Sequence, residues 1–254
     1  MHIDVIGDGS GPVLGLVHGW AMHGGLFAPL VERLRAHCTL HVVDLPGHGH
    51  AREDTGALDP SAMAAELTTR VPGATWLGWS LGGQVALRCA LDQPHAVRGV
   101  VLVASSPKFV RADGWPYGVS TTLFGEFGAA LQRDFRGTLE GFLALEVAGS
   151  AHALSELRNL RSHAFERGEP AQRALLDGLA LLDTIDLRAE LPTLRVPSLW
   201  IAGRRDRLVP PAAIVAAAAL CPDGRSRVIA DAGHAPFLGA PDAVAEAVLE
   251  FLAR

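Results

Sequence analysis

The sequence predicts an α/β fold, and three observations predict it. Short runs rich in valine, isoleucine and leucine, each bounded by glycine, proline or aspartate, read as strands buried on both faces of a parallel sheet. Stretches with helical spacing of apolar residues separate several of these runs, so strand and helix alternate along the chain. The length of 254 residues, 49% of them apolar and 6% aromatic, is enough to bury a sizeable core in one α/β unit.

In order, the strand runs are Val13–Val17, Leu40–Val43, Thr75–Leu77, Gly99–Val103, Ser198–Ile201 and Ser226–Ile229. Helical spacing marks Phe27–Arg35, Pro60–Arg70, Leu81–Gln93, Pro211–Leu220 and Pro241–Leu252. From about Phe109 to Leu187 the strand rhythm stops, and the text turns helical, as in Glu140–Ala148, Ala153–Arg167 and Ala171–Leu182. We expect a single domain over residues 1–254, with a mostly parallel sheet flanked by helices and a helical lid inserted at about 109–187.

Lysine and arginine number 22 against 27 acids, and the net charge of -5 leaves no general attraction for nucleic acid or an anionic membrane. Three widely spaced cysteines, Cys38, Cys89 and Cys221, contain no CxxC pair, so buried free thiols are expected rather than a disulfide framework or a zinc site. Met1 to Gly11 shows neither a basic n-region nor an apolar h-region. The longest apolar runs, such as Ile214 to Leu220, are far shorter than a membrane span needs. A cytoplasmic monomer with no membrane partner is the expectation.

The chemistry concentrates in a few segments. Gly78-Trp79-Ser80-Leu81-Gly82-Gly83 lies directly after a strand run and before a helical stretch, the setting of a G-x-S-x-G nucleophile elbow. Small residues are needed on either side because a Cβ at Gly78 or Gly82 would crowd the tight turn. A serine hydroxyl is a poor nucleophile until a base takes its proton, so a histidine oriented by a carboxylate should follow in the chain. Asp206, in Gly203-Arg204-Arg205-Asp206, and His234, in Gly233-His234-Ala235-Pro236, both stand just past strand runs. Ligands of open α/β sheets bind at those carboxyl ends. Asp231 is the nearest rival acid, but its place three residues before His234 suits shaping that turn. Two backbone amides are needed for an oxyanion, and Leu81 and Trp20, the latter in His18-Gly19-Trp20, are the candidates.

Other signals are weaker. His48 and His50 lack a third ligand at useful spacing, and Gly47-His48-Gly49 after Asp44-Leu45-Pro46 reads as a turn, so neither metal nor organic cofactor is expected. Trp76, Trp79 and Trp115 read as core or cavity wall.

Taken together, the HGW, DLPGHG, GWSLGG, GRRDRLVP and GHAPF segments resemble the α/β-hydrolase family over nearly the whole chain. More narrowly, Leu16–Trp20, Leu40–Gly47, Trp76–Gly83, Val103–Pro107, Phe142–Leu145 and His234–Phe237 resemble the pimeloyl-[acyl-carrier protein] methyl ester esterases of bacterial biotin synthesis. That resemblance implies a serine carboxylesterase with Ser80, Asp206 and His234 as its triad. It implies substrate contacts from Trp20, Ser80, Leu81, His234 and the lid residues Phe142, Leu143, Ala144, Leu145 and Glu146. Glu146 stands where the family pattern has glutamine, and Gly141 where it has arginine. Acyl carrier protein is the implied partner. Arg133 and Arg136, and separately Arg158 and Arg161, are spaced three apart, which on a helix puts each pair on one face and makes them candidates for carrier docking. A triad fixes reaction class and not substrate, so a broad small-ester hydrolase and a non-catalytic ligand-binding relative remain alternatives.

Overall fold

Successive strand residues point to opposite faces of a sheet, and here both sets are apolar. Trp76, Val100 and Leu102 enter one buried core, whereas Leu77, Trp79, Val101 and Val103 enter another. Two apolar faces need two layers of cover, and the sequence supplies helices for both.

The computed structural model describes residues 1–254. The chain runs β1 (His2–Ile6), β2 (Val13–Val17), α1 (Ala28–Leu34), β3 (Thr39–Asp44), α2 (Pro60–Arg70), β4 (Ala74–Trp79), α3 (Leu81–Asp92) and β5 (Val97–Val103). Four helices follow: α4 (Thr121–Arg133), α5 (Phe135–Glu146), α6 (Ala153–His163) and α7 (Gln172–Thr184). The sheet then resumes with β6 (Ser198–Gly203), α8 (Pro211–Leu220), β7 (Gly224–Ile229), the short α9 (Pro236–Gly239) and α10 (Pro241–Leu252). Seven strands form one sheet in the order β1-β3-β2-β4-β5-β6-β7, all parallel except β1, which pairs antiparallel with β3 from His2↔Asp44 to Ile6↔Leu40. Leu67 of α2, Val85 of α3 and Ile214 of α8 pack on the first core. Leu30 and Leu34 of α1 and Val244 and Val248 of α10 pack on the second.

All six expected strands are present, together with β1, which the strand runs did not include. The inserted helices differ more. α4 was not anticipated, and α5 begins at Phe135 because Asp134 caps it, its carboxylate accepting from the Gly137 N–H at 2.9 Å. That cap separates α4 from α5, so Arg133 and Arg136 lie on different helices and share no helix face. Arg158 and Arg161 do share α6, which ends at His163 rather than running to Arg167.

Backbone strain gathers at one end of the sheet. The three non-glycine residues with positive φ are Ala21, Ser80 and Ala104, which follow β2, β4 and β5 respectively. Cys38, Cys89 and Cys221 are buried free thiols. No helix is long and apolar enough to cross a membrane.

Candidate active site

Ser80 sits in the turn from β4 into α3 with φ 53° and ψ -119°, a conformation disfavoured for any residue with a Cβ. Its surroundings impose that shape. A Cβ on Gly78 would lie 2.2 Å from the Gly82 carbonyl oxygen, and one on Gly82 would lie 2.2 Å from the Val17 carbonyl oxygen. Strand and helix therefore approach as closely as only glycine permits. The Ser80 N–H donates to the Val103 carbonyl at 2.9 Å, and the Ser105 hydroxyl donates to the Ser80 carbonyl at 2.7 Å, which ties the turn to the end of β5.

His234, on the loop after β7, comes to this turn with Nε2 2.9 Å from Ser80 Oγ. Its Nδ1 lies 2.8 Å from Asp206 Oδ2, on the loop after β6. A carboxylate only accepts, so Nδ1 carries the proton and Nε2 is free to accept from the serine. The other Asp206 oxygen accepts from the Leu208 and Val209 backbone N–H groups at 2.8 and 2.9 Å. Ser80, Asp206 and His234 are all buried.

Two contacts that sequence reasoning missed fix the His234 backbone. Trp79 Nε1 donates to the His234 carbonyl at 2.9 Å, and the His234 N–H donates to the Glu146 carbonyl at 3.0 Å. Burial opposes a charge on His234, yet the carboxylates of Asp206 and Glu146 outweigh it and raise its pKa above the ordinary histidine range. Asp231, the rival acid, instead pairs with Arg205 at 3.0 Å on the surface.

The candidate oxyanion donors flank the serine. Leu81 is the first residue of α3, where helix amides have no acceptor within the helix. Trp20 follows Gly19, at which a Cβ would lie 3.2 Å from Ser80 Cβ. His18 anchors this loop: its Nδ1 donates to the Gly19 carbonyl at 2.8 Å, and its Nε2 accepts from the Leu45 N–H at 3.0 Å. His48 spends Nδ1 on the Pro46 carbonyl at 2.9 Å, holding the neighbouring turn.

A cavity of about 570 Å³, its mouth included, opens on Ser80 and His234. Its other walls are apolar and include Trp20, Phe109, Phe124, Phe127, Phe142, Leu145, Leu179, Leu182 and Leu208. Trp20 meets Phe142 edge-on with ring centres 4.7 Å apart, and its Nε1 donates to the Leu175 carbonyl of α7 at 2.8 Å. Of the five successive lid residues expected to touch substrate, only Phe142 and Leu145 line the cavity. A helix presents i and i+3 to one side, so Leu143 and Glu146 turn inward to the core and Ala144 faces solvent. Trp76 is core, and Trp115 meets Tyr117 edge-on and does not line this cavity.

Comparison with known proteins finds that the family described as alpha/beta hydrolase fold matches residues 12–241. The chain belongs to the α/β-hydrolase family. A pimeloyl-[acyl-carrier protein] methyl ester esterase of Xanthomonas oryzae pv. oryzae (strain MAFF 311018) is 57% identical to this hydrolase over 253 residues, covering 100% of this chain and 99% of the relative. Another of that name, from Stenotrophomonas maltophilia (strain K279a), is 56% identical, covering 100% of this chain and 96% of the relative. Among solved structures, the esterase EaEST from Exiguobacterium antarcticum superposes with a TM-score of 0.88 at 23% identity, covering 100% of this hydrolase and 95% of that chain. At that identity the likeness bears on the fold alone. The hydrolase is a carboxylic ester hydrolase, as its close relatives are.

Proposed function

We propose that this chain hydrolyses the methyl ester of pimeloyl-[acyl-carrier protein], releasing methanol and pimeloyl-[acyl-carrier protein] in biotin synthesis in the cytoplasm. The observation that carries the reaction class is the continuous chain Asp206–His234–Ser80 opening into an apolar cavity. The substrate comes from the name shared by relatives 56–57% identical over the full length.

In this reading His234 Nε2 takes the Ser80 hydroxyl proton as Oγ bonds to the ester carbonyl carbon. The carbonyl electrons move to an oxyanion, which the Trp20 and Leu81 amides hold. Collapse breaks the bond to the methoxy oxygen, and the imidazolium returns the proton to give methanol. A water then loses a proton to His234 and attacks the acyl-enzyme, and Ser80 departs with that proton restored. Asp206 keeps Nδ1 protonated throughout. Phe127, Phe142, Leu145 and Leu179 enclose the methylenes, each worth about 0.8 kcal/mol when buried.

The inserted helices are the lid, and the carrier docks on them. Arg136 is engaged with Glu169 at 2.8 Å and Arg161 with Glu140 at 2.9 Å, whereas Arg133 and Arg158 have no ion-pair partner. Leu154, 84% exposed, lies one turn before Arg158 on α6 and offers an apolar contact beside it. Free guanidinium forks suit the phosphate of a phosphopantetheine arm and the carboxylates of an acidic carrier.

The test is methanol release from purified methyl-pimeloyl-[acyl-carrier protein]. The parent chain should release one methanol per ester, and Ser80→Ala should lose activity on the order of 10⁶-fold in kcat. Cleavage of p-nitrophenyl butyrate with no methanol from the carrier-bound ester would leave only a broad small-ester hydrolase.

A further inference from the structure

Glu146, the last residue of α5, meets His234 through its carbonyl and is buried to 1% exposure at the back of the triad. Its Oε2 has no hydrogen-bond partner. A carboxyl placed so is expensive to ionise, and burial, aided by the charge of Asp206 and opposed by that of His234, raises its pKa to about 7. Other charged groups nearby are engaged or turned away. Arg205 pairs with Asp231, Arg207 faces solvent, His152 is exposed, and Glu156 of α6 accepts from the Ser150 hydroxyl at 2.5 Å. Asp206 and Glu146 are therefore the two charges that act on the imidazole.

We propose that Glu146 is a positioning residue: its buried carboxylate, held at the His234 backbone and acting through His234, joins Asp206 in stabilising the imidazolium that forms during acyl transfer. The inference rests on the reading of His234 as the base. Its two effects have opposite signs. An ionised Glu146 stabilises the charged imidazole in the transition state, which raises the rate once the enzyme is active. The same charge keeps the resting imidazole protonated to higher pH, which moves the acid limb of the profile upward.

Glu146→Gln preserves shape and removes the charge. The midpoint of the acid limb of kcat/KM should fall by about one pH unit, a gain of about tenfold below the limb. On the alkaline plateau kcat should fall several-fold. A limb that stays in place, with or without a change in Tm, overturns the inference, because a merely structural role would not move it. Should the variant fail to fold, the His234 imidazole of the parent chain can be followed by NMR. It should titrate above the ordinary histidine value of about 6.5, and a midpoint at or below that value overturns the inference equally. Retained methanol release in Ser80→Ala would instead defeat the triad reading itself, so the two failures are distinguishable.

Discussion

Each oxygen of Asp206 has its own duty. Oδ1 is committed to the Leu208 and Val209 amides, and Oδ2 faces His234 Nδ1. In Asp206→Asn the one remaining oxygen must serve the two backbone donors, which turns the amide NH₂ toward the imidazole. The histidine then carries its proton on Nε2 and cannot take one from Ser80. We expect kcat for ester cleavage to fall by roughly 10⁴ with a near-unchanged Tm. A variant of full activity would mean that another acid orients the ring. Ser80, Asp206 and His234 were legible in the sequence because each stands at a strand end beside turn-forming glycine or aspartate. The contacts that Trp79, Ser105 and Glu146 make around this trio were not. They depend on which way a side chain points after distant segments pack, and local spacing does not encode that.

Elements with a strong apolar signal were readable to within a residue or two, as β2 and α8 illustrate. β1 escaped because it is an edge strand of mixed sequence, His2-Ile3-Asp4-Val5-Ile6, with Val5 61% exposed. α4 carries Gly125 and Gly128, which dilute a helical pattern, and the Asp134 cap between α4 and α5 was hidden inside what looked like continuous helical text. That break changes which arginines should matter. We expect Arg133→Glu combined with Arg158→Glu to raise KM for the carrier-bound ester about tenfold at low salt and less at high salt. Cleavage of p-nitrophenyl butyrate should hold steady, and equal losses on both substrates would assign these arginines to lid stability. The inserted helices are also tied down at their far end: Arg167 bonds Asp4 at 2.9 Å and the buried Asp44 at 3.0 Å, so one side chain joins the insertion to an edge strand and to β3.

For the molecule as a whole, buried histidines couple stability to pH. Burial lowers the pKa of His18 to about 3 and that of His48 to about 4. Below about 6.5 the unfolded chain therefore takes up protons that the native state refuses, and these two groups lose their stabilising effect progressively as pH falls toward those values. Glu146 and His234 act with the opposite sign, because their native pKa values are raised. The contribution of one group is thus best read as a difference. His48→Gln keeps a donor for the Pro46 carbonyl and cannot titrate, so thermal scans should show a smaller drop in Tm from pH 7 to pH 5 than in the parent. An identical drop would exclude His48 as a source of the acid sensitivity.

The character of the cavity also bears on how a turnover ends. Apart from Ser80 and His234 its walls are hydrocarbon, and no lysine or arginine lines them. An uncharged ester fits such a chamber, but hydrolysis turns it into an anion surrounded largely by hydrocarbon. The reaction thus makes its own product unwelcome. Departure of the acid is driven by the same walls that drew the ester in, and accumulated product has little hold with which to block the next molecule.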